Sequence, residues 1–239
     1  ILPVTNSLNE DFSSIEDTNF AAKLYMLYHD TDIDFLFLAK GRCAERFGVD
    51  FSQNLTTNFE IHGELAYIND QSRVVIDSSN QLVIKNQDAV NGLLGLRYLS
   101  EMEVTWIIEY YHNGKGYSES EMESFFQHAK TDPAVSPSLF ALAKNVKQSG
   151  YALSNPARDD LYIRASGNEF MEVVYLTAGL ASIINLHDES FSITPELIYT
   201  GVENQEARLR FVWLHGDLLS EYGEKLNDWR LEFRYRYFL

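Results

Sequence analysis

The amino-acid sequence predicts an all-β protein: a transmembrane, antiparallel, up-and-down β-barrel, or the C-terminal part of a larger one. Three observations predict this fold. Apolar and polar residues alternate in about 11 segments, the connections between the segments are alternately short and long, and the last segment is long enough to cross a hydrocarbon layer. We expect residues 1–239 to form a single domain.

The alternation is clearest at the end of the chain. In the segment 229–239 every second residue is apolar or aromatic, and four of the five residues between them are charged. About 11 residues at roughly 3.3 Å each, tilted near 45°, cross a hydrocarbon layer about 25 Å thick. We expect the apolar side chains of this strand to face lipid: Trp229, Leu231, Phe233, Tyr235 and Tyr237.

Ten further segments continue the pattern towards the N-terminus. In the segment 207–213, the lipid-facing candidates Leu209, Phe211 and Trp213 alternate with two arginines. The remaining predicted strands are 191–200, 171–183, 160–166, 104–111, 90–98, 58–68, 44–51, 33–40 and 20–28. The weaker segment 1–17 could supply one more strand, so we expect about 11 to 12 in this chain.

The lengths of the connections give a second indication, because outer-membrane barrels have short periplasmic turns and long external loops. Counting back from a periplasmic C-terminus, the predicted external connections are 215–228, 184–190, 112–159, 69–89 and 41–43. The predicted internal connections are 201–206, 167–170, 99–103, 52–57 and 29–32. Four of the longest connections are external. The same count starts the first strand outside, so an even-stranded barrel needs upstream strands.

The connection 112–159 is too long to be a bare loop in a compact domain. Ser118 with Glu121, and Ser120 with Glu123, fit a capping box that precedes a helical pattern of apolar residues. A second helix is predicted over 137–148. The loop is therefore expected to be external and partly helical, either packed on itself or folded into the mouth of the barrel.

Composition excludes several classes of protein. With 19 Lys and Arg against 35 Asp and Glu, the net charge of -16 excludes a broad nucleic-acid-binding surface. The single cysteine, Cys43, cannot form an internal disulfide, and no Cys/His spacing fits a zinc site. No nucleophile elbow or phosphate-binding loop is present, so we expect neither an enzyme nor a cofactor.

Two groups around histidines are candidate polar sites. His187-Asp188-Glu189 in a predicted external loop could ligate a cation, although three adjacent residues seldom all point one way. His62 lies between Glu60 and Glu64, and alternate residues of a strand share one face. We expect these three side chains to form part of a hydrated wall, and no metal site is predicted.

The face opposite the apolar residues is the predicted lumen. Its candidate residues are Arg208, Arg210, Arg230, Glu232, Arg234, Arg236, Glu196, Arg164, Glu109, Glu60, His62 and Glu64. The candidate carboxylate partners of the arginines are Glu232, Glu196 and Glu172 on strands and Glu119, Glu121 and Glu123 in the long loop. Two interpretations stay open: a transverse field that acts on solutes, and a structural ladder of ion pairs.

Aromatic residues lie near the predicted strand ends, where amphipathic rings suit a membrane interface. They are Trp106, Trp213, Trp229, Tyr199, Tyr235 and Tyr237. In a soluble sandwich the same residues would be core, and alternation alone does not separate these cases.

The segment Trp229–Leu239, with Tyr237 and Phe238 near its end, resembles the closing strand of bacterial outer-membrane β-barrel proteins. The stretches 94–99, 109–114 and 194–197 are also similar to uncharacterised proteobacterial outer-membrane proteins. The resemblance covers about residues 44–239. It implies a porin-like chain in the bacterial outer membrane that forms the C-terminal portion of a longer barrel.

We therefore expect a pore for small hydrophilic solutes or ions, surrounded by outer-membrane lipid and weakly selective for cations. A first alternative is a barrel scaffold that binds or sheathes a protein partner such as an electron carrier. A second alternative is a soluble β-sandwich or a lipocalin-like binding protein.

Overall fold

The computed structural model describes residues 20–39, 44–76, 82–130 and 156–238. These residues form one 11-stranded sheet, with the strands in sequence order. The strands are β1 (Ala21–Tyr28), β2 (Thr31–Leu38), β3 (Arg46–Thr56), β4 (Phe59–Ile76), β5 (Leu82–Leu99), β6 (Val104–Asn113), β7 (Asp159–Gly167), β8 (Leu176–Asn185), β9 (Phe191–Tyr199), β10 (Gln205–His215) and β11 (Trp229–Tyr237), and the helix is α1 (Glu119–Ala129). The predicted all-β, up-and-down fold is confirmed.

Every strand pairs antiparallel with its neighbour in the chain. In β10, Leu209 lies opposite Leu197 and Phe233, whereas Arg210 lies opposite Glu196 and Glu232. Because side chains alternate between the two faces of a strand, this register places apolar and charged residues on separate faces of the sheet. In the described part of the chain, no helix is long and apolar enough to cross a membrane.

The connections differ in length between the two ends of the sheet. At the short-turn end they are 29–30, 57–58, 100–103, 168–175 and 200–204. At the long-loop end they are 39–45, 77–81, 114–158, 186–190 and 216–228. The two longest connections, 114–158 and 216–228, lie at the long-loop end as predicted, but the alternation is incomplete, because 168–175 has eight residues whereas 77–81 and 186–190 have five each.

The predicted loop 69–89 is wrong, because most of it is strand. β4 continues to Ile76 and β5 begins at Leu82, with one register shift between Ile68 and Gln71. Polar residues such as Ser72 and Asn86 lie opposite each other and are joined by a 2.7 Å hydrogen bond. Because these side chains are polar, the sequence suggests a loop. In the fold, the backbone of β4 and β5 continues the hydrogen-bonded ladder beyond the ends of the neighbouring strands.

Two other predicted boundaries also change. The predicted strand 171–183 begins only at Leu176, because residues 170–172 form a single 3-10 turn with left-handed backbone at Met171. The predicted turn 52–57 is shorter, because β3 continues to Thr56 and pairs there with Phe59. Residues 1–17, which hold the weakest strand candidate, lie outside the described residues, as does the whole of the second predicted helix at 137–148.

The best-buried apolar cluster lies outside the common part of the sheet, where α1 packs on the β4–β5 hairpin. The cluster consists of Val75, Tyr117, Met122 and Phe125. Val75 lies opposite Val83, on the same face of the hairpin as Arg73 and Lys85. α1 therefore covers the face that carries the charged residues further along the same strands.

The start of α1 is fixed by polar contacts that the sequence predicts. The backbone N–H of Ser118 donates to Glu121 Oε2 at 3.0 Å, and the N–H of Glu121 approaches Ser118 Oγ at 3.4 Å, which is the predicted capping box. Arg73 ties the helix to the hairpin, since its Nη2 donates to Glu121 Oε1 at 2.8 Å and its Nη1 donates to the carbonyl of Gly116 at 2.9 Å. One carboxylate thus caps α1 and binds β4.

Val75→Asp is expected to detach α1 from the hairpin, because an unpaired carboxylate in a fully buried apolar site costs about 3 kcal/mol or more. Limited proteolysis should then cut within 119–129 faster than in the parent protein. Ile84→Asp on the opposite, exposed face of the same hairpin is the matched control and should leave the cleavage rate unchanged. Equal rates in the two variants would show that α1 does not depend on this packing.

Candidate functional site

The polar face of the sheet gathers every residue that we predicted for the lumen. The register links them from strand to strand: Glu60 lies opposite Arg97, and Arg97 lies opposite Ile107, which in turn lies opposite Arg164. The predicted residues on this face are Glu60, His62 and Glu64 on β4, Glu109 on β6, Arg164 on β7, Glu196 on β9, Arg208 and Arg210 on β10, and Arg230, Glu232, Arg234 and Arg236 on β11. They form one continuous polar face.

The apolar face carries the eight predicted lipid-facing residues. Leu209, Phe211 and Trp213 of β10 lie opposite Phe233, Leu231 and Trp229 of β11, and Tyr235 and Tyr237 complete the row on the last strand. All are exposed, from 38% for Phe211 to 69% for Phe233. The aromatic residues Trp106 and Tyr199 share this face and lie near strand ends, as predicted.

In a soluble protein the apolar face of a sheet is usually buried and the polar face is exposed. Here the apolar side chains are more exposed than the ion-paired carboxylates of the polar face. The charged side chains of Asp34 and Glu196 are only 16% and 15% exposed, although they are not covered by a second sheet in the described part of the chain. On a flat sheet the two faces would be equally open. The ion-paired carboxylates of this face are 15–28% exposed, which indicates that the sheet curves around it, whereas the long side chains of Lys23 and Arg97 reach into solvent, at 58% and 59%.

The polar face is acidic on its first half. Its carboxylates are Asp32, Asp34, Asp50, Glu60, Glu64 and Glu109 on β2, β3, β4 and β6. Asp34, Asp50 and Glu64 lie directly opposite one another on neighbouring strands, and like charges in such positions repel. Lys23 binds Asp34 at 2.7 Å, so one ammonium partly offsets three carboxylates.

His62 lies in the middle of this acidic half. Its Nε2 is 3.2 Å from Glu109 Oε1, and its Nδ1 is 3.6 Å from Glu60 Oε1. Arg97 approaches the other oxygen of Glu60 at 3.6 Å. The ring therefore connects β4 to β6 across Gly95, a position where an added Cβ would lie 2.3 Å from His62 Nε2. Gly95 leaves the space that this contact needs.

The second half of the polar face is basic, with Arg164, Arg208, Arg210, Arg230, Arg234 and Arg236. Four of these arginines form ion pairs. Glu196 Oε2 is 2.6 Å from Arg210 Nη2 and 3.6 Å from Arg208 Nη1, and Glu232 is 2.8 Å from Arg234. Arg164 and Arg230 have no carboxylate within 4.0 Å among the described residues, so the ladder leaves two cations free.

Some of the predicted partners of the arginines are wrong, and one real partner was missed. Glu172 lies in the turn 168–175 at the short-turn end, and Glu121 binds Arg73 on β4, so neither contacts the arginine ladder. Glu206 takes that role: its Oε1 is 3.6 Å from Arg208 and 3.7 Å from Arg236. The sequence contains one indication of this contact: Glu206 lies two residues before Arg208, and alternate residues of a strand share one face.

The connection 216–228 docks on the ends of β7, β8 and β9 at the long-loop end. Glu221 is 3% exposed; its Oε2 accepts a 3.1 Å hydrogen bond from Asn185, and its backbone N–H donates to Asp188 at 2.7 Å. Burial and the charge of Asp160 together raise the pKa of Glu221 to about 7, against the opposing effect of Lys225. A carboxyl group buried beside other carboxylates thus holds this loop.

The two long connections meet above the polar face. Lys130, which follows α1, binds Glu224 of the connection 216–228 at 2.5 Å. α1 is itself bound to β4 through Arg73, and the connection 216–228 is bound to β8 through Asn185. We call this chain of contacts the strap. It joins β4 and β8, which lie four positions apart in the sheet, at the long-loop end.

The residues His187-Asp188-Glu189 do not converge on a cation. His187 Nε2 is 2.6 Å from Asp159, whereas Asp188 accepts hydrogen bonds from Ser190 and Glu221. Among the described residues, no group of three or more His, Cys, Asp or Glu could hold a metal ion. The sequence did not reveal that Asp159 also binds His112, at 2.6 Å, because the two residues are separated by the whole long loop.

No protein-family model and no curated protein matches the sequence. Among solved structures, the chain is similar to the crystal structure of Acinetobacter baumannii OccAB1, with a TM-score of 0.52 and 11% sequence identity. The similarity covers 91% of this chain and 56% of the OccAB1 chain, so this chain spans little more than half the length of that neighbour. At this identity the likeness shows the fold alone, and that fold is porin-like.

Proposed function

We propose that this chain forms the wall of a porin-like outer-membrane channel for small hydrophilic solutes or ions. The observation that carries the proposal is the inverted arrangement of the sheet: the apolar face is exposed, and the ion-paired carboxylates of the charged face are sheltered. Such a surface suits lipid outside and water inside. The fold similarity to OccAB1, an outer-membrane porin, supports the same function.

The charges of the wall favour a weakly selective pore. The carboxylates of β2–β6 and the arginines of β7–β11 are separated along the sheet, so in a closed barrel they would face each other across the lumen. Ion pairs neutralise most of the arginines, which limits the repulsion of cations. With the net charge of -16 for the whole chain, we infer a modest preference for cations.

The strap is the proposed gate of this pore. It crosses the long-loop end and is held by two contacts whose strength depends on charge: the Lys130–Glu224 ion pair, and the docking of Glu221 beside Asp160 and Asp188. Opening of the Lys130–Glu224 ion pair would separate the connection 216–228 from α1, and undocking of Glu221 would release it from the sheet. The alternative function, a barrel filled by a protein partner, differs in that it would not conduct.

Phe233→Arg is expected to destabilise folding in lipid vesicles by about 2–4 kcal/mol if position 233 lies near the middle of the membrane. Val212→Arg is the matched control, because it places the same side chain on the polar face of the neighbouring strand, opposite Arg230. Its cost should be below about 1 kcal/mol. Urea titrations of the two variants in vesicles measure the difference, and equal costs would exclude a lipid-facing position for Phe233.

Arg164→Ser with Arg230→Ser should shift the reversal potential in a planar bilayer under a salt gradient towards that of a more cation-selective pore. One charge about 4 Å from a passing ion in water contributes about 1 kcal/mol, so the permeability ratio should change by up to about fivefold. Asp50→Asn with Glu64→Gln should shift it in the opposite direction. Absence of any single-channel current would instead favour the scaffold that binds a protein.

The strap should open as pH rises through about 7, the pKa of docked Glu221. Docking raises the pKa of this group from 4.5 to about 7, so docking weakens by up to about 1.4 kcal/mol for each pH unit between those two values and changes little above 7. Current recordings between about pH 5 and 8 should show longer open times at the higher pH. Glu221→Gln should remove this dependence, whereas Glu203→Gln, at the exposed short-turn end, should retain it.

A further inference from the structure

The turn 168–175 differs from its neighbours at the short-turn end. It is the longest of these connections, since the others contain between two and five residues. Its backbone is left-handed at four non-glycine residues: Glu169, Met171, Glu172 and Tyr175, with φ between 52° and 66°. Side chains other than glycine adopt this conformation at a cost in free energy, so the surroundings must favour it.

The turn exposes apolar side chains that a protein in water would cover. Met171 is 79% exposed and Tyr175 is 62% exposed, and Phe170, Val173 and Val174 are also exposed. Two residues of the turn, Glu169 and Glu172, are charged. They make the turn polar enough for a lipid–water interface, but they do not shield its apolar side chains from water. The composition is that of a segment at the boundary between lipid and water.

The turn also fills a gap on the apolar face. Near the short-turn end this face carries aromatic residues on several strands: Phe59, Tyr98 and Trp106 on β4–β6, Tyr199 on β9 and Tyr235 on β11. At the corresponding positions β7 and β8 carry Ala165, Gly167, Ala178 and Leu176, none of which is aromatic. Phe170 and Met171 line a groove of about 740 Å³ together with Ala165, Gly167 and Ala178.

The groove continues into the rest of the apolar face. Beyond the small residues it is lined by Leu180, Leu197, Leu209 and Leu231, all on the face that the proposed function places in lipid. A chain molecule lying along this face would pass between the strands and the turn. The occupant that matches an open, apolar groove at this position is the acyl chain of a phospholipid.

We propose that the turn 168–175 is a membrane anchor, which inserts Phe170, Met171 and Tyr175 among the phospholipids at the short-turn end and holds an acyl chain against Ala165, Gly167 and Ala178. This proposal rests on the proposed function, because it requires the apolar face to lie in a membrane. It assigns a lipid-binding role to a connection that lies outside the strands.

Fluorescence quenching of single cysteines tests the anchor. Cys43, the only native cysteine, is first replaced by serine, and Met171→Cys, Leu231→Cys and Leu226→Cys are labelled with an environment-sensitive dye. Position 231 reports insertion of the sheet, and position 226, 98% exposed at the long-loop end, is the matched apolar control. Each protein is folded into phosphatidylcholine vesicles, with or without brominated acyl chains.

The anchor requires that brominated lipid quench the dye at positions 171 and 231 and that aqueous iodide quench position 171 at least about threefold less than position 226. If position 231 is quenched by lipid but position 171 responds to iodide like position 226, the anchor is wrong and the channel proposal stands. Protection of position 171 from both quenchers would indicate a protein contact and also overturn the anchor. Absence of lipid quenching at position 231 would overturn both proposals.

A second measurement uses folding yield. Met171→Asp with Val174→Asp should lower the yield of membrane-inserted protein severalfold, because two charges would enter the interface. Leu226→Asp should leave the yield unchanged. Equal yields for the two variants would contradict the anchor even if both proteins fold.

Discussion

The structure depends on one constraint, the register of an antiparallel ladder in which side chains alternate between two faces. The interior strands pair on both sides with their neighbours, so that most of their backbone groups are bonded within the sheet. A slip of one residue between β10 and β11 would place Phe233 opposite Arg210 and mix the two faces. Conversely, the correct register lets charged pairs such as Arg210–Glu196 and Arg234–Glu232 form on one side while the aromatic residues stay on the other. The separation of polar and apolar surface follows from pairing alone.

Sequence alternation is sufficient to predict the strands whose two faces differ in character. β11 and β10 are found where the alternation places them, and the capping box at Ser118 correctly marks the start of α1. The pattern fails where neither face is apolar. The β4–β5 extension carries Ser72 and Asn86, whose pairing is a cross-strand interaction that a single strand does not reveal. The same limit explains why Glu206 was missed as a partner of Arg236, which lies on another strand.

The charged residues of the polar face differ in how much of their charge is neutralised by ion pairs. The arginines of β10 and β11 share Glu196, Glu206 and Glu232 in a ladder, so much of their charge stabilises the pairing of strands. The carboxylates of β2–β4 lie side by side with few cations near them, so in the proposed channel they would attract passing cations. The ladder and the proposed transverse field are therefore compatible: most arginines of the basic half are paired, while Arg164, Arg230 and the carboxylates of the acidic half keep unneutralised charge. The strap also depends on charge. Burial raises the pKa of Glu221 to about 7, so the charge of this residue changes near neutral pH.

The two edges of the sheet have a consequence for assembly. With 11 antiparallel strands, the first and the last run in the same direction, from the long-loop end to the short-turn end. If β1 and β11 met directly, they would pair as parallel strands, unlike every other pair in the sheet. Closure with antiparallel pairs throughout requires an odd number of intervening strands, which makes the total even. The polarity of two strand edges thus fixes the parity of any barrel that this sheet completes, and the inserted strands would set the width of its opening.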